Sequence, residues 1–454
     1  MSGNNYYDAV VIGFGKGGKT IANALGNAGK KVAMIEQSEK MYGGTCINVG
    51  CIPTKSLVNS AREASSGCKA GREAYAEAVR RKNVLVEKLR GKNYDKLESS
   101  PNVSVINGKA RFLSPHEAEI DSPDGKQIIY GEQFYINTGS SPFIPPIKGI
   151  KANPYVYISE TLLDLEELPE HLVIIGGGYI GVEFASIYAD FGAQVSILQD
   201  GGVFLPREDE EIADKVRANL ERRGVRVLTE VQVEEVREAA GHAEVIISTK
   251  DGSDMLAAEA VLVATGRRPN TQELNLEAAG VRTNERGGII TDDTRTTTAP
   301  HIFAMGDVVG GLQFTYISLD DYRIVHSKVL GDGSYTLEKR GAVPYSVFLN
   351  PPFSRVGMSE AEAEKAGFKV KTARLEAAAI PKAQVVRQPD GLLKAVVDAD
   401  TGRILGAHLF CEESHELINL VKLAMDAGLR YTALKDMIFT HPTMGEALND
   451  LFNI

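Results

Sequence analysis

The chain has few cysteines, no excess of positive charge and no long apolar run. Four cysteines among 454 residues are too few for a secreted disulfide framework, so a close pair is better suited to catalysis. A net charge of −10 argues against a general nucleic-acid or anionic-membrane partner, because both require a basic surface. No apolar run could span a bilayer, and the first residues lack a basic and an apolar signal region. We therefore expect a cytoplasmic protein that binds neither nucleic acid nor membrane.

Two of the cysteines, Cys46 and Cys51, lie five residues apart in the segment GGTCINVGCIPTK, residues 43–55. Pro53 suits a first helical turn, and the dipole of that helix would favour a thiolate near its N-terminus. A zinc site would need further soft ligands, but Cys68 and Cys411 form no pair at ligand spacing. The residues favour a redox-active pair over two unrelated buried thiols and predict no metal site; Cys68 and Cys411 are interpreted as spectators.

A strand, a glycine-rich turn and a helix open the chain. Apolar residues 7–12 are followed by Gly13, Gly15 and Gly18 in the pattern GxGxxG. The first glycine permits the tight turn, the second a close approach to a pyrophosphate, and the third close packing of helix on strand. A second strand ends at Glu36, eighteen residues after Gly18, where a carboxylate can accept hydrogen bonds from a ribose. This pattern predicts a dinucleotide site.

The same pattern returns around Gly176, Gly178 and Gly181, so the chain is expected to hold two dinucleotides. Gln199 takes the place that Glu36 has in the first copy, and it can bond a ribose without repelling a 2′-phosphate. Asp200 follows it, however, and no arginine or lysine appears before Arg207 to neutralise that phosphate. The second site is therefore predicted to favour NADH over NADPH.

Together these motifs resemble the pyridine nucleotide-disulfide oxidoreductases, which include glutathione reductase, dihydrolipoamide dehydrogenase and mercuric reductase. The resemblance covers nearly the whole chain and includes HIFAMGDV at 301–308 and HPTMGE at 441–446. Within the family, residues 310–323 and 13–16 look like the bacterial reactive-chlorine-resistance flavoproteins, a subgroup with reductases of hypothiocyanous acid and of copper(II).

The resemblance implies an α/β fold with two Rossmann-like dinucleotide-binding domains and an α+β C-terminal dimerisation domain. The implied FAD domain comprises residues 1–152 and 283–342, the NAD(P)H domain residues 153–282, and the interface domain residues 343–454. The active unit would be a homodimer whose active site is shared between subunits.

The resemblance also implies a relay in which NAD(P)H reduces FAD, FAD opens the Cys46–Cys51 disulfide, and the dithiol reduces a small external oxidant. Cys51 would face the flavin and Cys46 would attack the substrate. His441, oriented by Glu446 and followed by a cis proline, would take the thiol proton in the partner subunit. Lys55 and Glu183 would pair beside the flavin. Further expected contacts are, for FAD, Gly44, Thr45, Ala110, Thr138, Gly139, Gly306, Asp307, Phe314 and Thr315, and, for NAD(P)H, Gly266.

Taken without the resemblance, several of these residues have ordinary structural interpretations. His441 suits a turn or helix cap, Lys55 a protein surface, Glu183 a first helical turn and Asp307 a cap. The Thr-Gly pairs that end at Gly139 and Gly266 suit strand-to-loop turns.

Three rival functions follow from the same residues. Mercuric reductase is disfavoured because residues 449–454 lack the cysteine pair of that enzyme. Dihydrolipoamide dehydrogenase shares every catalytic element, and only residues 313–323 argue against it. A flavin-bound redox sensor without turnover is the hypothesis from a different class, although it has no evident use for His441 and Glu446.

Overall fold

The computed structural model describes residues 5–67 and 70–454, so Cys68 lies outside the described residues. Its α-helices are α1 (Lys16–Asn27), α2 (Thr45–Asn48), α3 (Cys51–Ser66), α4 (Arg72–Glu98), α5 (Ser159–Leu162), α6 (Tyr179–Asp190), α7 (Glu210–Arg222), α8 (Thr315–Leu330), α9 (Glu360–Lys365), α10 (Pro381–Val385), α11 (Ser414–Asp426), α12 (Thr432–Lys435) and α13 (Ala447–Leu451).

The strands are β1 (Tyr6–Ile12), β2 (Val32–Glu36), β3 (Val103–Asn107), β4 (Lys109–Ser114), β5 (Glu117–Ser122), β6 (Gly125–Ile136), β7 (Ser140–Pro142), β8 (Val156–Ile158), β9 (His171–Ile175), β10 (Gln194–Leu198), β11 (Val225–Leu228), β12 (Gln232–Ala239), β13 (His242–Thr249), β14 (Gly252–Ala258), β15 (Ala260–Val263), β16 (Arg267–Pro269), β17 (Ile302–Ala304), β18 (Tyr345–Val347), β19 (Phe353–Gly357), β20 (Val370–Glu376), β21 (Leu392–Asp398) and β22 (Ile404–Phe410). Single 3-10 turns cover Glu39–Met41, Leu276–Ala279, Gly306–Val309, Leu337–Arg340 and Ala377–Ala379.

The chain divides into two compact units. The first runs up to Ser56 and continues over Val79–Phe143 and Gly266–Arg340; the second comprises Leu57–Ala78, Ile144–Thr265 and Gly341–Ile454. Each unit is therefore assembled from separate stretches of the sequence.

The first unit is built on one sheet with the strand order β3-β2-β1-β6-β5-β4, in which β17 also pairs with β6. Strands β1, β2, β3 and β17 pair in parallel, and β4 and β5 extend the sheet as antiparallel strands. Both faces of β1 are covered, since Val10 packs in one apolar cluster and Val11 in another. This is why β1 is apolar almost throughout rather than alternating.

The second unit contains a fully parallel sheet in the order β11-β10-β9-β15-β8 and an antiparallel sheet β12-β13-β14. Val173, Val245 and Leu256 belong to one apolar cluster that joins these two sheets. A five-stranded antiparallel sheet, β18-β19-β22-β21-β20, packs with α11 and α13 around Leu409, Val421 and Leu448. One largely parallel sheet, one fully parallel sheet and one α+β region agree with the predicted fold class.

The coarse sequence predictions of individual elements agree with these bounds. The Ala-, Arg-, Lys- and Glu-rich composition of residues 60–100 predicts long exposed helices, and these residues lie mainly in α3 and α4. The apolar run at 392–398 predicts a strand, and it forms β21. Among the described residues, none of the helices has the length and hydropathy needed to cross a membrane.

Candidate active site

The first glycine-rich turn is closed by contacts that leave no room for side chains. Gly13 has a φ of 103°, and a Cβ on it would lie 2.3 Å from the backbone oxygen of Asn137. A Cβ on Gly15 would lie 2.5 Å from Asn137 Oδ1, and one on Gly18 2.2 Å from the Gly13 oxygen. Each predicted glycine is therefore required by its surroundings, and α1 begins directly after Gly15.

Asn137, at the end of β6, holds this turn in place. Its Oδ1 accepts a hydrogen bond from the Gly18 N–H at 2.9 Å, and its Nδ2 donates to the Met305 carbonyl at 2.6 Å and to Ser318 Oγ at 3.1 Å. Ser318 Oγ in turn accepts from the Gly17 N–H at 3.0 Å. One buried amide thus ties the first turn of α1 to the segment just before Gly306.

Glu36 is buried at the end of β2, and its carboxylate binds the glycine-rich turn itself. It accepts hydrogen bonds from the Phe14 N–H at 3.0 Å and the Ser38 N–H at 3.2 Å. Burial raises the pKa of Glu36, while the backbone donors from Phe14, Ser38 and Gln37 oppose that rise. The carboxylate is thereby fixed at the edge of the sheet where a ribose is expected.

The second glycine-rich turn repeats this geometry. Gly176 has a φ of 110°, with a Cβ position 2.5 Å from the Ala264 oxygen, and a Cβ on Gly181 would lie 2.1 Å from the Gly176 oxygen. Gly178 precedes α6, and a Cβ there would have no heavy atom within 4 Å among the described residues. The helix start at Gly178 is therefore open to a phosphate group.

Gln199 occupies the same position relative to the second glycine-rich turn as Glu36 does relative to the first. Its Oε1 accepts from the Gly177 N–H at 2.9 Å, and Gly177 follows the first glycine of its turn as Phe14 does in the other. The Gln199 Nε2 donates to Asp200 Oδ1 at 3.2 Å, and that oxygen also accepts from the Gly201 N–H at 2.8 Å. The predicted ribose positions are thus equivalent, with an acid in one and an amide in the other.

The other residues predicted to bind FAD surround the first turn or lie at its sheet. Gly44 has a φ of 76°, and a Cβ on it would lie 2.7 Å from the Gly15 Cα. Thr45 follows as the first residue of α2. Thr138 Oγ1 donates to the Asn270 carbonyl at 2.8 Å, and the Gly139 carbonyl accepts from the Asn270 N–H at 3.0 Å.

Ala110 is a buried residue of β4. The neighbouring Gly108 and Phe112 donate their N–H groups to the Glu36 and Leu274 carbonyls, away from β5. Because backbone groups alternate along a strand, Ala110 directs its own amide and carbonyl to that same outer edge. This orientation suits a backbone contact with FAD, as the resemblance implies for Ala110.

Gly306 and Asp307 form the 3-10 turn after β17. Gly306 has a φ of 74°, and its N–H donates to Asp321 Oδ2 at 2.8 Å. Asp307 accepts from Ser140 Oγ at 2.8 Å, and burial raises its pKa against the effects of Ser140 and of the Arg267 charge. Asp307 is therefore a half-buried acceptor inside the turn rather than a helix cap.

The cradle around the first turn fits a dinucleotide such as FAD. Three glycines whose Cβ atoms would be blocked and the start of a twelve-residue helix supply a pyrophosphate site, and the carboxyl groups of buried Glu36 and half-buried Asp307 supply acceptors for hydroxyl groups.

Cys46 and Cys51 lie side by side at the start of α3. Cys46 is in α2 and Cys51 is the first residue of α3; both are thiols in this structure. A hydrogen bond with Cys51, then burial, then the Cys51 charge raise the pKa of Cys46, whereas Thr315 and Lys19 oppose that rise. Thr315 Oγ1 also lies 3.4 Å from Cys51 Sγ. The geometry brings together the two predicted thiols and one hydroxyl at a helix N-terminus, where a thiolate is favoured.

Phe314 is the N-cap residue of α8, and its ring stacks on Tyr316 with centroids 5.1 Å apart.

Gly266 has a φ of 115°, and its carbonyl accepts from the Phe143 N–H at 2.9 Å. A Cβ at Gly266 would meet no heavy atom within 4 Å in the described chain.

His441 and Glu446 form the predicted pair in the second unit. His441 Nδ1 lies 2.8 Å from Glu446 Oε2, and the His441–Pro442 peptide bond is cis, as the resemblance implies. The His441 side chain is 70% exposed in the single chain, whereas that of Glu446 is 20% exposed. A carboxylate at Nδ1 orients the imidazole and leaves Nε2 to face outward.

Lys55 lies in the second turn of α3, and Glu183 lies in α6. The Glu183 carboxylate is buried and accepts from the Phe348 N–H at 2.8 Å. The pairing of Lys55 with Glu183 stays a prediction.

Comparison with known proteins assigns the chain to a family. The model of the pyridine nucleotide-disulphide oxidoreductases matches residues 7–321, and the model of the dimerisation domain of the same family matches residues 343–452. The chain belongs to this family. It is thus a flavoprotein-type oxidoreductase that uses FAD and NAD(P)H, with a dimerisation domain at its C-terminal end. The predicted family and enzyme class are confirmed.

Several members of the family resemble the chain along its whole length. It is 51% identical over 450 residues to the probable pyridine nucleotide-disulfide oxidoreductase RclA of Escherichia coli, covering 99% of both chains. It is 32% identical to a mercuric reductase of Staphylococcus aureus, covering 97% of this chain and 81% of that protein. A solved Cu(II) complex of the HOCl-induced flavoprotein disulfide reductase RclA from Escherichia coli matches with a TM-score of 0.94 and 50% identity, covering 99% of both chains.

Sequence reasoning missed the residues that hold the site together. Asn137 directly precedes the Thr-Gly pair that ends at Gly139, and this place at the carboxyl edge of a parallel strand is the signal that could have identified it. Asn48 donates to the Tyr42 and Gly44 carbonyls and accepts from Arg90 Nε at 2.8 Å, which fixes the segment between the glycines and Cys51. That contact with α4 has no local signature in the sequence.

Proposed function

We propose that this chain is an NAD(P)H-dependent reductase of a small oxidant, such as hypothiocyanous acid or copper(II), and protects against reactive chlorine and thiocyanate oxidants. The observation that carries the proposal is the hydrogen-bonded pair of Cys46 and Cys51 at the start of α3, beside the first glycine-rich turn. The Escherichia coli relative, described as HOCl-induced and solved as a Cu(II) complex, supports this substrate class. A cytoplasmic location suits a dithiol that must cycle.

The residues that would hold FAD are those of the first turn together with Glu36, Ala110, Thr138, Asp307 and Phe314. When bound, FAD and NAD(P)H would supply two electrons and one proton, which together with a second proton from water convert the Cys46–Cys51 disulfide to two thiols. Lys55 and Glu183 are proposed to stand beside the flavin, where a lysine stabilises negative charge.

Cys46 is proposed as the attacking sulfur. Its thiolate attacks the sulfur of hypothiocyanous acid, so a Cys46 S–S bond forms and hydroxide leaves, which becomes water on taking a proton. Cys51 then attacks the Cys46 sulfur, which restores the protein disulfide and releases thiocyanate. With copper(II), two metal ions would each accept one electron and the two thiols would release two protons.

The raised pKa of Cys46 means that its attack requires a proton acceptor. We propose that the partner subunit's His441 takes this proton, with Glu446 orienting the imidazole through Nδ1. The exposure of His441 in the single chain and the match to a dimerisation domain support a site completed across a homodimer.

NADH is the proposed donor. Gln199 offers no positive charge to a 2′-phosphate, and the neighbouring Asp200 carboxylate would repel it. A ratio of kcat/KM that strongly favours NADPH over NADH would contradict this assignment.

The decisive experiment measures NADH oxidation by the FAD-loaded protein with hypothiocyanous acid, copper(II), lipoamide and glutathione disulfide. We expect rapid, sustained turnover with one of the first two; preference for lipoamide would favour dihydrolipoamide dehydrogenase, and a single turnover would favour a redox sensor. Cys46→Ser should abolish oxidant reduction while NADH still reduces the flavin. Cys411→Ser, which removes a buried thiol outside the site, is the matched control and should stay active.

A further inference from the structure

Lys19 is a lysine whose charge acts on Cys46, and the proposed mechanism has no use for it. It lies in the first turns of α1, just after Gly18, and is partly buried. Its Nζ donates to Asn93 Oδ1 at 2.5 Å. Asn93 is on α4, and its Nδ2 donates to the Leu89 carbonyl of the same helix at 2.6 Å. That second bond turns the amide oxygen of Asn93 toward the lysine, so the ammonium is held rather than free to extend into water.

The anchor of Lys19 lies against the segment that carries Cys46. A Cβ on Gly43, three residues before Cys46, would be 3.3 Å from Asn93 Cγ. The charges of Lys19 and Cys46 act on each other, since Lys19 lowers the pKa of Cys46 and Cys46 raises that of Lys19. The ammonium and the attacking sulfur therefore share one partly buried environment.

The other charged groups that act on Lys19 are Lys16 on its own helix and Lys96 on α4. Burial, with these two charges, lowers the pKa of Lys19 to about 8. The side chain is thus still protonated at pH 7 and loses its charge as the pH rises past 8. Among the described groups that act on it none is a carboxylate, so its positive charge is available to the sulfur.

We propose that Lys19, held by Asn93, is a positioning residue that presents its ammonium to Cys46 and stabilises the negative charge that the sulfur carries during attack on the oxidant. The inference rests on the proposed function for the role of Cys46. Thiolate is the reactive form of cysteine, and a neighbouring cation in a partly buried site increases its population. Cys51 and Thr315 are the groups that form hydrogen bonds with the same sulfur.

The test is the rate at which neutral iodoacetamide alkylates Cys46, measured from pH 6 to 10 by mass spectrometry of the labelled peptide in the FAD-loaded Cys51→Ser protein. Lys19→Met should slow alkylation at pH 7 by about tenfold, which shifts the part of the rate curve below pH 8 by about one pH unit. The difference should shrink above pH 8, where Lys19 loses its charge in the parent protein as well. Lys19→Arg, which keeps the charge, should restore most of the rate. Lys30→Met removes an exposed lysine beyond the far end of α1 and should change nothing.

Superimposable curves for Lys19→Met and its parent would overturn the inference, as would an equal shift in Lys30→Met. Asn93→Leu keeps the lysine but removes its anchor, and should give a smaller shift in the same direction; it also serves if Lys19→Met folds poorly. Because alkylation needs neither oxidant nor NADH, a shifted curve in a protein that reduces no oxidant would refute only the proposed function. An unshifted curve in an active reductase would refute only the role of Lys19.

Discussion

Replacing Asn137 with alanine should destabilise the first unit and weaken FAD binding together. The substitution removes the acceptor for the Gly18 N–H and the donor to the Met305 carbonyl, two buried backbone groups. Leaving one buried polar group without a partner costs about 1–3 kcal/mol. Leaving both the Gly18 N–H and the Met305 carbonyl without a partner should therefore lower the free energy of unfolding by about 4 kcal/mol. At about 2–4 °C per kcal/mol for a domain of this size, the apparent Tm of the FAD-free protein should fall by about 8–16 °C.

The assay is thermal unfolding of the FAD-free protein followed by circular dichroism, with FAD affinity measured from quenching of flavin fluorescence. Asn59→Ala, which removes an exposed amide bonded to Glu63, is the matched control and should shift the Tm by less than about 2 °C. Asn137→Asp keeps the acceptor for Gly18 but turns a carboxylate oxygen toward the Met305 carbonyl, so it should not rescue stability. A Tm and an FAD affinity like those of the parent protein in Asn137→Ala would refute the reasoning.

Three further predictions concern the same sites. Gly18→Ala forces a Cβ against the Gly13 oxygen and should weaken FAD binding about a hundredfold in equilibrium dialysis, whereas Gly91→Ala, at an exposed helical glycine with open surroundings, should not. Glu446→Gln should lower kcat/KM for the oxidant at pH 7 about tenfold in stopped-flow assays, with the exposed Glu416→Gln as control; equal rates would contradict the role of His441. Asp200→Arg should raise the NADPH-to-NADH ratio of kcat/KM about tenfold, and exposed Asp254→Arg should leave it unchanged.

The glycine-rich turns were predictable from the sequence because their chemistry is local. Gly13 and Gly176 require a left-handed φ, and Gly18 and Gly181 require the absence of a Cβ, so the residue type records the geometry. The strands beside them are buried on both faces and are therefore apolar without alternation. The cysteine pair was predictable for a similar reason, since five residues of separation and a helix start suffice to bring the sulfurs together.

The supporting contacts were not predictable because they join distant parts of the chain. Asn137 bonds to groups more than a hundred residues away, and Arg90 reaches Asn48 from another helix. Lys19 is an unremarkable helical lysine in the sequence, and only the packing of α1 against α4 through Asn93 places it near a thiol. The pairing of Lys55 with Glu183 and the shared dimer site came from the resemblance alone.

Glu36 and Gln199 form equivalent hydrogen bonds in the two nucleotide-binding folds, and this equivalence indicates how duplicated folds of this kind can diverge. In both residues, one side-chain oxygen accepts a hydrogen bond from the backbone N–H that follows the first glycine. Only the other terminal atom differs: in Glu36 it is an oxygen that accepts from the Ser38 N–H, and in Gln199 it is a nitrogen that donates to Asp200. Exchanging acid for amide therefore leaves the anchor intact. A single nucleotide change in the gene can therefore change the group that this position offers to a ligand, while the hydrogen bond that stabilises the turn is kept.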